Sequence, residues 1–228
     1  MSKKINQKIN QKKWVILADG EKISAEKIKK LAEDKGVLVL DGAYEYAEKI
    51  GLAIDFLLGD FDSIGENKLE KIKSDVFWKD KIIHAPDQNK TDLEKGIEYL
   101  DINFSPDEVL IISGLGLRLQ HSLYNLRLLK KLGSNTSRKL KIISETERVT
   151  YHHGSDVAQR VEIIGQPGDC VAILGFPFGK FSSEGLQYDV KNYALDFEKN
   201  NSVSNALKAS KAVLSLEGDV LLIQEIKK

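Results

Sequence analysis

Short, unbroken apolar runs recur through the first half of the chain, each closed by a small polar turn. Trp14-Val15-Ile16-Leu17-Ala18 ends at Asp19-Gly20, and Val37-Leu38-Val39-Leu40 ends at Asp41-Gly42. Phe56-Leu57-Leu58 stops at Gly59-Asp60, and Val109-Leu110-Ile111-Ile112 stops at Ser113-Gly114. A strand that is apolar at every position has to be covered on both faces, which implies a parallel sheet between helices. The intervening segments supply those helices. Ser24 is placed to cap one through about Asp34, and a second runs from Ala43 to Ile50 and stops at Gly51. A third spans Glu66–Ser74. Thr91-Asp92-Leu93-Glu94 is a capping box that starts a fourth, to about Leu100. A fifth runs from about Gln120 to Leu132 and ends at Gly133.

Beyond Lys139 the period changes to short strands divided by turn residues: Leu140–Ile143, Arg148–Tyr151, Val161–Ile164, Val171–Leu174, Leu186–Val190, Ala212–Leu216 and Val220–Gln224. Glu217-Gly218-Asp219 predicts a hairpin turn between the last two. The series predicts an antiparallel sandwich or barrel. The expected architecture is therefore α/β: a parallel-sheet domain over 1–138 (with 1–13 a polar, Lys-rich arm), then a β-sandwich-like domain over 139–228.

Composition excludes several functions. With 34 Lys+Arg against 34 Asp+Glu among 228 residues, the chain lacks the net basic field on which nucleic-acid and membrane-surface binding usually rest. No apolar stretch approaches the roughly 20 residues of a membrane span, and Met1–Lys13 lacks the apolar region of a secretory signal. A soluble cytoplasmic protein is the expectation. The single cysteine, Cys170, excludes an intrachain disulfide and a cysteine-based zinc cluster. Its setting, Asp169-Cys170-Val171-Ala172-Ile173-Leu174, predicts a buried strand residue with a structural role.

Charge can still be concentrated locally, and in an open parallel sheet ligands bind beyond the carboxyl ends of the strands. There, Asp60 and Asp62 are two residues apart in an extended segment, so both carboxylates can face one side and share a cation. Magnesium, usually held by one or two carboxylates plus substrate phosphates, suits such a sparse pair. A calcium EF-hand fails at Ile64 and Lys71, and the alternative is that both acids merely cap turns. Asp92 lies in the first turn of a helix, where its charge is favoured, and Lys90 beside it could meet a phosphate. Arg118 precedes the helix that carries Gln120, His121 and Asn125. Residues 121 and 125 share a helix face, and a planar guanidinium suits a phosphoryl group.

Taken in order, Asp41-Gly42-Ala43, Gly59-Asp60-Phe61-Asp62-Ser63-Ile64, Asp87-Gln88-Asn89-Lys90-Thr91-Asp92 and Gly114-Leu115-Gly116-Leu117-Arg118-Leu119-Gln120-His121 resemble the thiamine pyrophosphokinase family. Glu184-Gly185-Leu186-Gln187-Tyr188 and Ser202-Val203-Ser204-Asn205 resemble its thiamine-binding β-domain. The resemblance covers nearly the whole chain from Trp14. It implies a catalytic, ATP- and magnesium-binding first domain and a thiamine-binding second domain. The implied reaction moves a pyrophosphoryl group from ATP to the hydroxyl of thiamine in a cytoplasmic homodimer. By resemblance, Asp60, Asp62 and Asp92 hold Mg2+, Arg118 meets phosphate charge, and Asp41, Gln88, Lys90, Thr91, Gln120, His121 and Asn125 line the nucleotide site. Ser204 and Asn205 contact thiamine.

Three positions depart from the family pattern: Leu117 replaces a glycine, and Gln120 and Asn89 each replace an aspartate. The rivals are a pyrophosphokinase of the same fold acting on another alcohol, such as a hydroxymethylpterin, and a nucleotide- or thiamine-binding protein without catalysis.

Overall fold

A computed structural model describes residues 11–133, 138–153 and 158–226. Most of the N-terminal arm, and residues 134–137 within the expected domain junction between Gly133 and Lys139, lie outside the described residues. The chain divides into two compact units, 11–125 with 138–139, and 126–133 with 140–226.

The first unit alternates strand and helix as its apolar runs require: β1 (Lys13–Leu17), α1 (Ala25–Ala32), β2 (Gly36–Leu40), α2 (Tyr44–Lys49), β3 (Phe56–Gly59), α3 (Glu66–Ser74), β4 (Ile82–His84), α4 (Asp92–Phe104), β5 (Glu108–Ile112) and the start of α5 (Leu119–Gly133). All five strands are parallel in the order β5-β1-β2-β3-β4. The chain builds outward from β1 to β4, then crosses back through α4 to place β5 on the other side of β1. That reversal opens a crevice at the carboxyl ends of β1 and β5, where ligands of such sheets bind. Both faces of the sheet are covered. Val15, Leu17, Val37 and Val39 pack with Ile28, Tyr44 and Ala47 on one side. On the other, Trp14 packs against the tilted rings of Phe56 and Phe104, and Gly96 lets α4 approach Leu38 and Leu40.

Several boundaries moved. Ser24 occupies the N-cap position of α1 but its side chain makes no capping bond. The fourth helix runs one turn past Leu100, to Phe104, where Ser105 turns it off at φ +46°. Strand β4 has no strong sequence signal because it is three residues long and only half-buried at the sheet edge.

The second unit is antiparallel. It contains β6 (Lys139–Ile143), β7 (Glu147–His153), β8 (Gln159–Ile164), β9 (Cys170–Glu184), β10 (Tyr193–Asp196), β11 (Ser202–Ala206) and β12 (Lys211–Glu225). Strands β9 and β12 are each 15 residues long and pair along most of their length. One half of β12 continues onto β8, the other onto β7 and β6. Long strands that pass from one layer to another make the corner of a sandwich, and Val171, Ile173, Phe181, Leu214, Leu216 and Val220 fill its core.

Three expectations are corrected here. Glu217-Gly218-Asp219 is not a hairpin turn: β12 runs straight through it, with a register shift after Gly218 at φ +75°. Leu186–Val190 is not a strand, since only Leu186 bridges to Leu207, and the next pairing segment is β10. Cys170 is exposed, not buried, because β9 alternates from its first residue and Val171 takes the inward position.

Candidate active site

The carboxyl ends of β1, β2, β3 and β5 and the first turns of α4 and α5 enclose a cavity of about 240 Å3. Asp41 sits deepest. The backbone turns into a 3-10 segment directly after β2, so this carboxylate points back across the strand ends and is 3% exposed. It accepts hydrogen bonds from the Gly42 N–H at 2.7 Å and the Phe61 N–H at 2.9 Å. Phe61 reaches it from an uncommon left-handed backbone, φ +68°. Burial, then the charges of Asp92 and Asp60, push Asp41 up to about 6, although the two N–H donors oppose the shift.

Asp60 accepts from Gln88 Nε2 at 2.8 Å and from the Asp62 N–H at 3.2 Å, and the Gln88 amide is the main reason its pKa is lowered. Asp62 is exposed and accepts from Ser63 Oγ at 3.0 Å. Oxygens of Asp41, Asp60 and Asp62 lie within 4.8 Å of one another. Three carboxylates at that spacing offer the hard oxygen donors that suit magnesium. Asp92, expected from the sequence to join Asp60 and Asp62, lines the same cavity, where its charge acts on Asp41 and its Oδ1 lies 2.6 Å from Lys95 Nζ.

Thr91 Oγ1 caps α4 by accepting from the Glu94 N–H at 3.3 Å, as the capping box predicts. The Glu94 carboxylate, 1% exposed, accepts from Tyr124 Oη at 2.7 Å and so links α4 to α5. Lys90 lines the cavity but its ammonium is held by both oxygens of Glu98, at 2.9 and 2.7 Å. On the β5 side, Asn125 Nδ2 donates to the Gly114 carbonyl at 2.7 Å and fixes the loop before α5. Leu117 follows at φ +51° with its side chain 75% exposed. Arg118 and His121 complete that wall.

The cavity thus gathers Asp41, Asp60, Gln88, Lys90, Thr91, Asp92, Arg118, His121 and Asn125. Gln120 is exposed and does not line it. Asn89 does not line it either: it turns away and donates to Asp87 Oδ1 from both its N–H (2.9 Å) and Nδ2 (3.1 Å). Two of the three departures from the family pattern therefore fall outside the cavity. Sequence reasoning passed over Asp19 and Lys95, which do line it. Asp19 had a visible signal as the polar residue ending the first apolar run, whereas Lys95 looked like one of many helix-surface lysines.

Ser204 and Asn205 lie in the second unit, in a cleft of about 290 Å3 with Phe181, Tyr188, Tyr193 and Val203. Asn205 is 4% exposed and its amide is engaged: Oδ1 accepts from the Tyr188 and Ala206 N–H groups, and Nδ2 donates to the Tyr188 carbonyl at 2.9 Å. It shapes the cleft by holding the Tyr188 loop.

Residues 5–143 match the family model described as thiamin pyrophosphokinase, catalytic domain, and residues 160–221 match thiamin pyrophosphokinase, vitamin B1 binding domain. Thiamine pyrophosphokinase 2 of Arabidopsis thaliana is 28% identical over 187 residues, which cover 76% of this chain and 66% of that protein. Thiamin pyrophosphokinase 1 of Caenorhabditis elegans is 26% identical, with 75% of this chain and 70% of that protein covered. In fold, the chain is similar to the thiamine pyrophosphokinase of Bacillus subtilis, with a TM-score of 0.81 at 21% identity over 95% of this chain and 100% of that one. The yeast enzyme's structure gives 0.75 at 17% identity over 96% and 87%.

Proposed function

Because the chain belongs to the thiamin pyrophosphokinase family, we propose that it transfers a pyrophosphoryl group from ATP to the hydroxyl of thiamine, giving thiamine diphosphate and AMP. The observation that carries this reading is the convergence of Asp41, Asp60 and Asp62 at the strand ends, with Asp41 and Asp60 lining a cavity walled by Arg118 and Lys95. The hydroxyl oxygen gives up its proton, which is released with the products, and bonds to the β-phosphorus, and AMP leaves with the oxygen that bridged the α- and β-phosphorus atoms. Such chemistry depends on positioning and charge neutralisation and needs no protein nucleophile.

In this reading Asp41, Asp60 and Asp62 hold Mg2+, and Asp92 stands beside them as the partner of Lys95. A bound Mg2+ would neutralise phosphate charge and orient the phosphate chain. Gln88 keeps Asp60 turned toward the cluster, and Arg118 meets the phosphates at the rim. The aromatic cleft of the second unit suits a cationic heterocycle, since ring faces attract cations, and Ser204 offers it an exposed hydroxyl. No helix among the described residues is long and apolar enough to cross a membrane. A cytoplasmic homodimer completes the proposal, and light scattering on the purified protein checks the dimer.

The test is release of AMP from ATP with thiamine and Mg2+. Asp41→Asn and Asp60→Asn should each lower it by several kcal/mol of transition-state stabilisation, roughly a hundredfold or more. AMP formed only with a pterin alcohol, or saturable thiamine binding without AMP, would overturn the assignment. Normal magnesium-dependent turnover by Asp41→Asn would remove that residue from the metal set.

A further inference from the structure

Lys95 lines the cavity from the inner side of α4, with its side chain only 8% exposed. Burying an ammonium is costly unless its donors are paired, and the residues that α4 buries elsewhere include the apolar Leu93, Ile97 and Leu100. A leucine or methionine would fill the same space without that cost, so the charge itself must serve something.

Its partners show what. Lys95 Nζ donates to the Ala85 carbonyl at 2.7 Å and lies 2.6 Å from Asp92 Oδ1. Ala85 directly follows β4, and Asp92 opens α4. One ammonium therefore joins the two ends of the connection that carries Gln88, Lys90 and Thr91 into the cavity. The same connection is anchored next to the acidic cluster, because the Ala85 N–H donates to the Gly59 carbonyl at 2.9 Å. Within it, Gln88 Nε2 reaches Asp60 Oδ2 at 2.8 Å.

We propose that Lys95 is a positioning residue of the candidate site: it clasps the β4–α4 connection shut and thereby sets where Gln88 holds Asp60 and where Asp92 sits. The role rests on the pyrophosphokinase reading for its catalytic meaning but not for its structural content. Lys95 acts through Gln88, Asp60 and Asp92, as supporting groups behind metal and phosphate ligands do.

The experiment compares wild type with Lys95→Met, which keeps the length of the side chain and removes the charge. Amide hydrogen exchange without ligand should quicken about tenfold or more over residues 87–91 in the variant, while β1 and β5 keep their rates. Affinity for a non-hydrolysable ATP analogue with Mg2+, read by calorimetry, should fall about 10–100-fold. In turnover, KM for ATP should rise while KM for thiamine stays within about twofold, a split that a general loss of packing would not produce. Unchanged exchange over 87–91, or nucleotide affinity within about twofold of wild type, overturns the proposal. Should Lys95→Met not accumulate as folded protein, Asp92→Asn discharges the other end of the clasp and the exchange comparison is read on that variant. Wild type that makes no AMP would sink the pyrophosphokinase reading alone, because exchange and nucleotide binding still decide the role of Lys95.

Discussion

Asp41 owes its place to an absent atom. A Cβ on Gly59 would stand 2.3 Å from Asp41 Cγ and 2.4 Å from Oδ2, so the strand end must be glycine for the carboxylate to pass behind it. Gly59→Ala should leave the sheet intact but displace Asp41, and a misplacement of about 1 Å can cost about a hundredfold in rate. Thiamine-dependent AMP formation, measured beside the thermal midpoint, checks this; an alanine variant with wild-type turnover would show that Asp41 is not held this way. Leu117 is the opposite case, a branched residue at φ +51°. The left-handed backbone costs an L-residue roughly 1–2 kcal/mol, and glycine returns about 0.5–1 kcal/mol of that through chain entropy. Leu117→Gly should therefore stabilise the protein by up to about 1 kcal/mol in urea unfolding. A fall in stability would mean that the leucine side chain makes a compensating contact. At this scale the motif residues were legible because each is a short polar group next to an apolar run. Lys95 was not, since burial of a single lysine leaves no mark in a helix rich in charged residues.

Among the elements, the helices of the first unit were legible from caps and periodicity. Thr91 and the apolar face of α4 specify a helix wherever they occur. The long strands of the second unit were not. Glu217-Gly218-Asp219 has the composition of a hairpin turn, yet the partner strand β9 runs on beside it and turns the same residues into a bulge. Asp219 then serves the fold, as its carboxylate takes the Tyr151 hydroxyl at 2.7 Å and Lys130 Nζ at 2.8 Å. Gly218 is held at φ +75°, and a Cβ there would meet the Phe178 carbonyl oxygen at 2.8 Å and Gly179 Cα at 2.9 Å. Gly218→Ala combines a disfavoured backbone with a backbone clash, and should destabilise by about 2–4 kcal/mol. A urea midpoint equal to wild type would mean that β12 can shift its register to absorb the methyl.

For the whole molecule, equal numbers of acids and bases do not mean an even distribution of charge. The carboxylates that matter gather at one end of one sheet, while the net balance hides them. One contribution to the pH dependence of stability can be signed. Burial holds the His152 imidazole down at about 4, from an ordinary 6.5, with Thr150 Oγ1 2.9 Å from its Nε2. Between those two values the unfolded chain takes up a proton that the folded chain does not. The His152 contribution is therefore undiminished above pH 6.5 and falls as the pH drops toward 4, by up to about 3 kcal/mol, while Asp41, pushed up to about 6, acts in the opposite sense over much of the same range. Urea midpoints of wild type and His152→Gln at pH 7 and 4.5 isolate it: the variant should lose less stability than wild type on acidification, and an equal change in both would show that His152 makes no such contribution. The α/β class, the β-rich second half and the ordered motifs of the family were determined by the sequence alone, because periodicity, caps and spacing act over a few neighbouring residues. Only the tertiary structure decided that Asp41 comes together with Asp60 and Asp62, that Asn89 and Gln120 stand outside the cavity, and that Lys95 bridges Ala85 and Asp92. Those distances follow from strand order and register, which join residues far apart in the chain and leave no local pattern to read.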